Sequence, residues 1–280
     1  MFSFFWGDKM DFSVKDFNVR LRTIRLREAI IAMVICFIIN SLFCDFFGIY
    51  DPDLEYIFYF VFMILFFIFA SFGTRGFKQD FDSLFKGINT FKVIMLAILN
   101  MLFAITVSNL LFDPFSSVNA FHMPLANAFH VPLANASMGG GLAFVFELIS
   151  AVCIAPISEE LLFRGVLFNR IKIKKGVFVG MVVSSLLFSL GHFYGPQPLI
   201  HVFTSFMFGM LMCVFFLKYD NILMNIAVHL IGNLMLYILD YTPIFAIFQM
   251  EPFSMIVGLL ALVSLFFIPA YIFYYAVKLK

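Results

Sequence analysis

Long apolar stretches alternate with short polar segments along the whole chain. A helix needs roughly 20 residues to cross about 30 Å of hydrocarbon, and a stretch of about that length is a candidate span. Eight such stretches fall near residues 29–47, 55–72, 93–112, 141–163, 177–193, 198–217, 222–239 and 253–277. The pattern predicts an all-α, polytopic membrane protein, a bundle of about eight transmembrane helices.

The positions of the charges predict the topology of this bundle. All 18 Lys and Arg residues fall on one side of the predicted spans, and the opposite loops carry Asp and Glu but no basic residue. Because basic residues are retained in the cytoplasm, both termini are predicted to be cytoplasmic. The composition agrees, since 63% of the residues are hydrophobic and 12% are charged, against about a quarter charged in soluble domains.

The net charge argues against nucleic acid as a partner, and the cysteine spacing argues against a disulfide framework or a zinc cluster. The net charge of +1 does not favour nucleic acid, whose phosphates require a cationic surface. The four cysteines show no CxxC spacing, so neither a disulfide framework nor a zinc cluster is predicted.

Four segments are predicted. Residues 1–28 form a cytoplasmic, juxtamembrane amphipathic segment of aromatic and Arg residues suited to an anionic leaflet, and no cleaved signal peptide is expected. Residues 29–140 hold three transmembrane helices and a loop in which NAFHMPLA is followed at once by NAFHVPLA. We interpret its His122 and His130 as part of a tolerated loop expansion, since no carboxylate or cysteine lies nearby. Residues 141–240 form a core of four helices, and residues 241–280 hold the last one.

The fourth span contains the residues that lipid tolerates least. Charged side chains are costly inside a bilayer and usually face the bundle interior or a wet cavity. Glu160 and Arg164 are spaced i, i+4 and are predicted to pair, whereas Glu159 lies about 100° further round the helix without such a local partner. Pro156 removes one helical hydrogen bond and is expected to leave a free carbonyl. Glu159 is therefore the candidate general base.

Two later spans carry the remaining polar candidates. His192 follows Phe188 by one turn in the fifth span, and His229 precedes Asn233 by one turn in the seventh. The second pair shares a helix face that has only the bundle interior as a polar refuge, and Gly232 is expected to allow close helix approach. Each residue taken singly also fits a structural role, a helix end for His192 and interhelical hydrogen bonds for the pair.

The expected depths of two candidates differ. Helical rise places Glu159 roughly 16 Å from Arg170, where we expect the fourth span to leave the bilayer, and His192 some 25 Å from Lys175. Either the fifth span begins outside the bilayer, or the cavity is deep.

Together these motifs resemble a known family. EExxxR at 159–164, FxxxH at 188–192 and HxxxN at 229–233 occur in this order on three spans, as in the CPBP intramembrane peptidases, the Abi-like family of CAAX prenyl endopeptidases and bacteriocin-processing proteins. The resemblance covers roughly residues 141–240. It implies that Glu159 and His192 activate a water and that His229 and Asn233 stabilise the oxyanion, while Glu160, Arg164 and Phe188 are structural or orienting.

The resemblance leaves metal dependence open. Members are described both as metal-dependent and as metal-free enzymes, so no cofactor is required by it. If a divalent metal such as zinc is bound, the implied ligands are Glu159, His192 and His229, although no HExxH motif is present.

The predicted function is therefore an intramembrane endopeptidase that hydrolyses a membrane-associated, prenylated or leader peptide by activated water. Its short loops favour a prokaryotic plasma membrane, and its partners would be this substrate and the lipid bilayer. One alternative is a non-catalytic immunity or peptide-binding protein of the same fold. Another is a transporter or proton relay, which would need matching broken helices in both halves, but the first three spans contain no corresponding Glu or His. Substrate identity and oligomeric state are left open.

Overall fold

A computed structural model describes residues 24, 26–50, 52–71, 77–112, 145, 148–193, 198–241 and 250–278. The regular structure of this part of the chain is helical. We number its helices α1 (Leu26–Phe47), α2 (Pro52–Ser71), α3 (Phe77–Lys86), α4 (Thr90–Phe112), α5 (148–175), α6 (Val177–Leu190), α7 (Pro198–Tyr219), α8 (Ile222–Tyr241) and α9 (Phe253–Lys278). Most of the N-terminal amphipathic segment and the whole NAFH repeat lie outside the described residues.

Each of the eight predicted apolar stretches contains a helix. Five of the helices in the described ranges are long and apolar enough to cross a membrane, namely those at Arg27–Phe47, Thr90–Ser108, Leu199–Tyr219, Ile222–Leu239 and Phe253–Lys278. Shorter apolar helices occur at Ile57–Ile68 and Val177–Leu190. The protein is therefore an integral, multi-pass helical membrane protein, while the count of eight spans stays a prediction.

Helix α3 was not predicted, because its sequence FKQDFDSLFK is polar and lies between two apolar stretches. It is fixed to the bundle by Asn221, whose Nδ2 donates a hydrogen bond to the Leu84 carbonyl at 2.7 Å. The Oδ1 of Asn221 accepts the amides of Leu223 and Met224, which satisfies donors at the start of α8. One side chain thus caps α8 and holds α3 beside it.

Lysine side chains pack against tyrosine rings near the start of α4 and near the ends of α7 and α9. The Lys92 Nζ lies 4.8 Å from the Tyr219 ring centroid, and the Lys218 Nζ lies 5.4 and 5.1 Å from the centroids of Tyr271 and Tyr275. These helix ends therefore lie at one end of the bundle, as the charge pattern predicts. Which side of the membrane this end faces stays a prediction.

Helices α5 and α6 form an antiparallel hairpin about Gly176. Gly176 has a φ of +89°, which a residue with a side chain rarely adopts, and it separates two otherwise continuous helices. Glu159 precedes Gly176 by 17 residues and His192 follows it by 16, so similar lengths of chain carry both to a similar height. Because α5 stays helical as far as Lys175, the two residues have similar heights in the hairpin, while their depth in the bilayer stays a prediction.

Close helix approach occurs at Gly209 and not at Gly232. A Cβ atom on Gly209 would lie 2.8 Å from the Ser185 Cβ, because α7 packs directly against α6. No described atom lies within 4 Å of the corresponding position on Gly232, so that expectation was wrong for the described part of the chain. Gly232 faces open space there, since α8 turns this side away from its described neighbours.

Candidate active site

The helix that carries both glutamates changes its winding on either side of them. Segments Ser150–Ile154 and Leu161–Phe168 are wound as wider π-helical turns, which are common at functional sites, and Ala155–Glu160 between them is α-helical. The Ala155 amide donates to the Ser150 carbonyl, five residues back. In this register the Ala151 carbonyl would pair with the amide of residue 156, but Pro156 has none.

Helix α8 supplies the missing donor. The Nδ2 of Asn233 donates a hydrogen bond to the Ala151 carbonyl at 2.8 Å. The carbonyl that the sequence predicts to be free beside Pro156 is therefore present and bonded, and the bond ties the start of α5 to α8.

Glu160 is the most heavily bonded acid of the site. Its Oε1 lies 2.8 Å from the Arg164 Nη1 and 3.1 Å from the His229 Nδ1, and its Oε2 lies 3.3 Å from the Asn225 Nδ2. The side chains of Glu160 and Arg164 are both 0% exposed. A buried charge is tolerated only when it is paired and hydrogen-bonded, and here the predicted i, i+4 pair meets this requirement.

Aromatic rings enclose the other side of Arg164. Its guanidinium carbon lies 4.6 Å from the Phe188 ring centroid and 5.8 Å from that of Phe208. Among the described residues, its Nε and Nη2 have no hydrogen-bond partner. Because the faces of aromatic rings attract cations, Phe188 and Phe208 supply part of the stabilisation that hydrogen bonds do not.

His229 lies between the two glutamates. Its Nδ1 contacts Glu160, and its Nε2 lies 3.7 Å from the Glu159 Oε2. An ionised carboxylate can only accept a hydrogen bond, so we assign the proton of the ring to Nδ1. The Glu159 side chain is 18% exposed, which makes it the more accessible of the two acids.

His192 lies in the turn that follows α6. Its Nδ1 is 3.0 Å from the Phe188 carbonyl, an acceptor, which again places the hydrogen on Nδ1. Its ring centroid is 4.6 Å from that of Phe188, and the His229 centroid is 6.0 Å from the same ring. Phe188 therefore contacts residues of all three motifs, since Arg164 also lies over its face.

The structure thus brings four predicted residues into direct contact: Glu159, Glu160, Arg164 and His229. His192 joins them around Phe188, and Asn233 binds the Ala151 carbonyl. Their catalytic roles stay predictions.

Sequence reasoning missed Asn225, Phe208 and Ser184. Asn225 had a signal, because it precedes His229 by four residues and so shares its helix face. Phe208 is one of 43 phenylalanines and has no distinguishing pattern. Ser184 donates to the Phe163 carbonyl at 2.9 Å, inside the second π-helical segment, which could not be foreseen.

The implied metal ligands, Glu159, His192 and His229, lie on α5, in the turn after α6 and on α8. Within the described residues, no group of three His, Cys, Asp or Glu side chains is placed to hold a metal ion. Whether Glu159, His192 and His229 bind a metal stays open.

The helices and the site define the class of this protein: it is a multi-pass membrane protein with a buried cluster of acids and histidines. Residues 141–235 match the family described as type II CAAX prenyl endopeptidase Rce1-like, which confirms the predicted family for this segment. The match covers about a third of the chain, includes all three motifs, and indicates a CAAX protease at the level of the family. No curated protein and no solved structure matches the chain significantly.

Proposed function

We propose that the protein is an intramembrane endopeptidase that hydrolyses a peptide bond of a membrane-associated substrate. The observation that carries the proposal is the contact of Glu159, His229, Glu160 and Arg164 between α5 and α8, inside the segment that matches the family. Burying so many ionisable groups among apolar helices is costly, and function is the usual reason that such groups persist.

Glu159 is the general base of the proposed reaction. Glu160 already accepts hydrogen bonds from three side chains, whereas Glu159 is partly exposed and its Oε2 lies 3.7 Å from the His229 Nε2, beyond hydrogen-bond distance. Glu159 takes a proton from a water whose oxygen attacks the carbonyl carbon of the scissile bond. The proton is then delivered to the nitrogen as the C–N bond breaks, which gives a free carboxylate and an amine.

His192 assists this step through its second ring nitrogen. With the hydrogen on Nδ1, a neutral ring has its lone pair on Nε2, where it can accept a hydrogen bond from the attacking water.

His229 and Asn233 stabilise the negative charge that develops on the substrate carbonyl oxygen. A side-chain amide has two N–H groups, and one of those on Asn233 donates to Ala151, so the second is the proposed donor. In the resting site the one hydrogen of the His229 ring is on Nδ1, where Glu160 accepts it, and His229 donates from Nε2 only while its ring carries a second proton during the reaction.

The proposed substrate is a prenylated C-terminal peptide, because the family description names CAAX prenyl endopeptidases. Leader peptides and other membrane-associated peptides are the alternatives within the same reaction. We propose the prokaryotic plasma membrane as the setting.

The test compares purified wild type, Glu159→Gln and Glu251→Gln in lipid nanodiscs. The substrate is a farnesylated peptide with a CAAX ending, its non-prenylated twin is run beside it, and products are measured by mass spectrometry. Because general base catalysis contributes about 10²- to 10⁴-fold, Glu159→Gln should slow cleavage at least about 100-fold. Glu251 is exposed and distant in sequence, and its variant should match wild type.

Cleavage by Glu159→Gln at the wild-type rate would refute the proposed base. A Glu159→Gln variant that retains full activity in cells, although it cleaves no peptide, would favour the non-catalytic peptide-binding role instead.

A further inference from the structure

We propose that Asn225 is a positioning residue that fixes the Glu160 carboxylate and, through it, the orientation and tautomer of the His229 ring. Its effect on catalysis rests on the proposed function, whereas its effect on His229 does not. No motif of the three includes Asn225, which lies one turn before His229 on α8.

The amide of Asn225 has two acceptors on two other helices. Its Nδ2 lies 3.3 Å from the Glu160 Oε2 on α5 and 3.0 Å from the Met212 carbonyl on α7. Asn225 is 0% exposed, so no solvent competes for these bonds. Both N–H groups of the amide are used, and the side chain can therefore adopt one orientation only.

The hydrogen bond from Asn225 affects His229 because of the Glu160 oxygen that accepts it. Arg164 and His229 share Oε1, and Asn225 alone of these three binds Oε2. A guanidinium is shaped to bind both oxygens of a carboxylate at once. If Asn225 released Oε2, Arg164 would compete for both oxygens, and the Glu160 carboxylate would turn away from the His229 Nδ1.

His229 would then lose the contact that sets its tautomer. Its Nδ1 carries the hydrogen because Glu160 accepts it, and this keeps Nε2 facing Glu159. A ring without that acceptor can flip or exchange its tautomer. The proposed catalytic step would fail for lack of orientation, although every catalytic side chain was still present.

The cost of removing a buried amide at position 225 has a matched control in Asn169. That residue is also 0% exposed, its Nδ2 donates to the Gly165 carbonyl at 2.9 Å, and its Oδ1 has no partner among the described residues, as is true of Asn225. This hydrogen bond does not involve Glu160. The cost of removing a buried amide is therefore shared by both positions, whereas loss of the bonds to Glu160 and Met212 is specific to Asn225, and the tautomer of His229 separates these two.

The first measurement is steady-state cleavage of the farnesylated peptide in nanodiscs. Asn225→Leu should lower kcat about 10- to 100-fold with KM unchanged, the range expected for losing a hydrogen bond to a charged group. Asn169→Leu should leave kcat unchanged. Asn225→Asp, which keeps the shape but sets a second carboxylate against Oε2, should lower kcat further than the leucine variant, whereas a packing role predicts the reverse order.

The second measurement needs no substrate. In protein labelled with ¹⁵N-histidine, NMR spectra report the tautomer of each ring, and a His229→Gln sample assigns the His229 signals. Wild type and Asn169→Leu should show His229 with its hydrogen on Nδ1, and Asn225→Leu should show a mixture. If the leucine variant does not fold, Asn225→Ser takes its place.

The two proposals fail in different ways. Unchanged His229 signals in a folded Asn225 variant would overturn the positioning role, whatever the protease assay gives. If Glu159→Gln cleaved as wild type while those signals changed, the proposed protease mechanism would fall and the positioning role would stand.

Discussion

Removing one partner of the Glu160–Arg164 pair should cost more stability than removing both. The Arg164 Nη1 lies 2.8 Å from the Glu160 Oε1, and both side chains are fully buried. Arg164→Met therefore removes the cation that pairs with the Glu160 carboxylate within α5. Breaking a buried pair by removing one partner typically costs about 3 to 5 kcal/mol, because the remaining charge stays buried. We expect Arg164→Met to lower the free energy of unfolding by about that amount.

The second substitution should then restore stability. In Arg164→Met/Glu160→Gln the remaining charge is gone, and the Gln carbonyl oxygen can still accept the hydrogen bond from His229 Nδ1, while its NH₂ group faces the Asn225 amide, which also donates. Replacing a buried pair by neutral groups of similar volume is often nearly neutral, so the double variant should be more stable than Arg164→Met by about 1 to 3 kcal/mol.

The assay is unfolding in mixed micelles with increasing denaturing detergent, followed by circular dichroism of the helices. Lys175→Met, at the exposed end of α5, is the control and should change little. If Arg164→Met cost under about 1 kcal/mol, or if adding Glu160→Gln lowered the stability of the Arg164→Met variant further, the pair would not be the buried charge pair that its geometry describes.

Two further predictions concern packing and the link between α5 and α8. Gly209→Ala should lower the free energy of unfolding by about 1 to 3 kcal/mol, because its Cβ would overlap Ser185, while Gly232→Ala should be tolerated; detergent unfolding of both variants checks this. Asn233→Leu should lower kcat at least about tenfold through loss of an oxyanion donor. It should also cost about 1 kcal/mol of stability through loss of the Ala151 bond, so an active and fully stable variant would contradict both roles.

Local features of the site could be predicted because they depend on helix geometry alone. The pairing of Glu160 with Arg164 follows from their i, i+4 spacing, and a carbonyl without a helical partner follows from the missing amide of Pro156, whereas the identity of this carbonyl as that of Ala151 depends on the π-helical register. The apolar stretches predicted helices for the same reason, since each needs only its own sequence to satisfy its backbone in lipid.

Contacts between helices could not be predicted in the same way. His229 was assigned only to the oxyanion, yet its Nδ1 binds Glu160, because the relative rotation of α5 and α8 decides which glutamate it meets. The two π-helical segments change the rotation of α5 relative to α8, and their apolar sequences contain no pattern that predicts π-helical winding. The similar heights of Glu159 and His192 in the hairpin could not be read from the sequence, because the continuation of α5 to Lys175 is not visible in an apolar pattern that ends earlier.

Packing and site are connected through α7. Gly209 lets α7 approach α6 at Ser185, and one turn later the Met212 carbonyl of α7 accepts the Asn225 amide that also binds Glu160. Because interiors are close-packed, moving α7 by even a few tenths of an ångström shifts that carbonyl and with it the orientation of Asn225. The geometry around Glu160 therefore depends on a small residue at position 209 as well as on the charged residues that contact Glu160 directly.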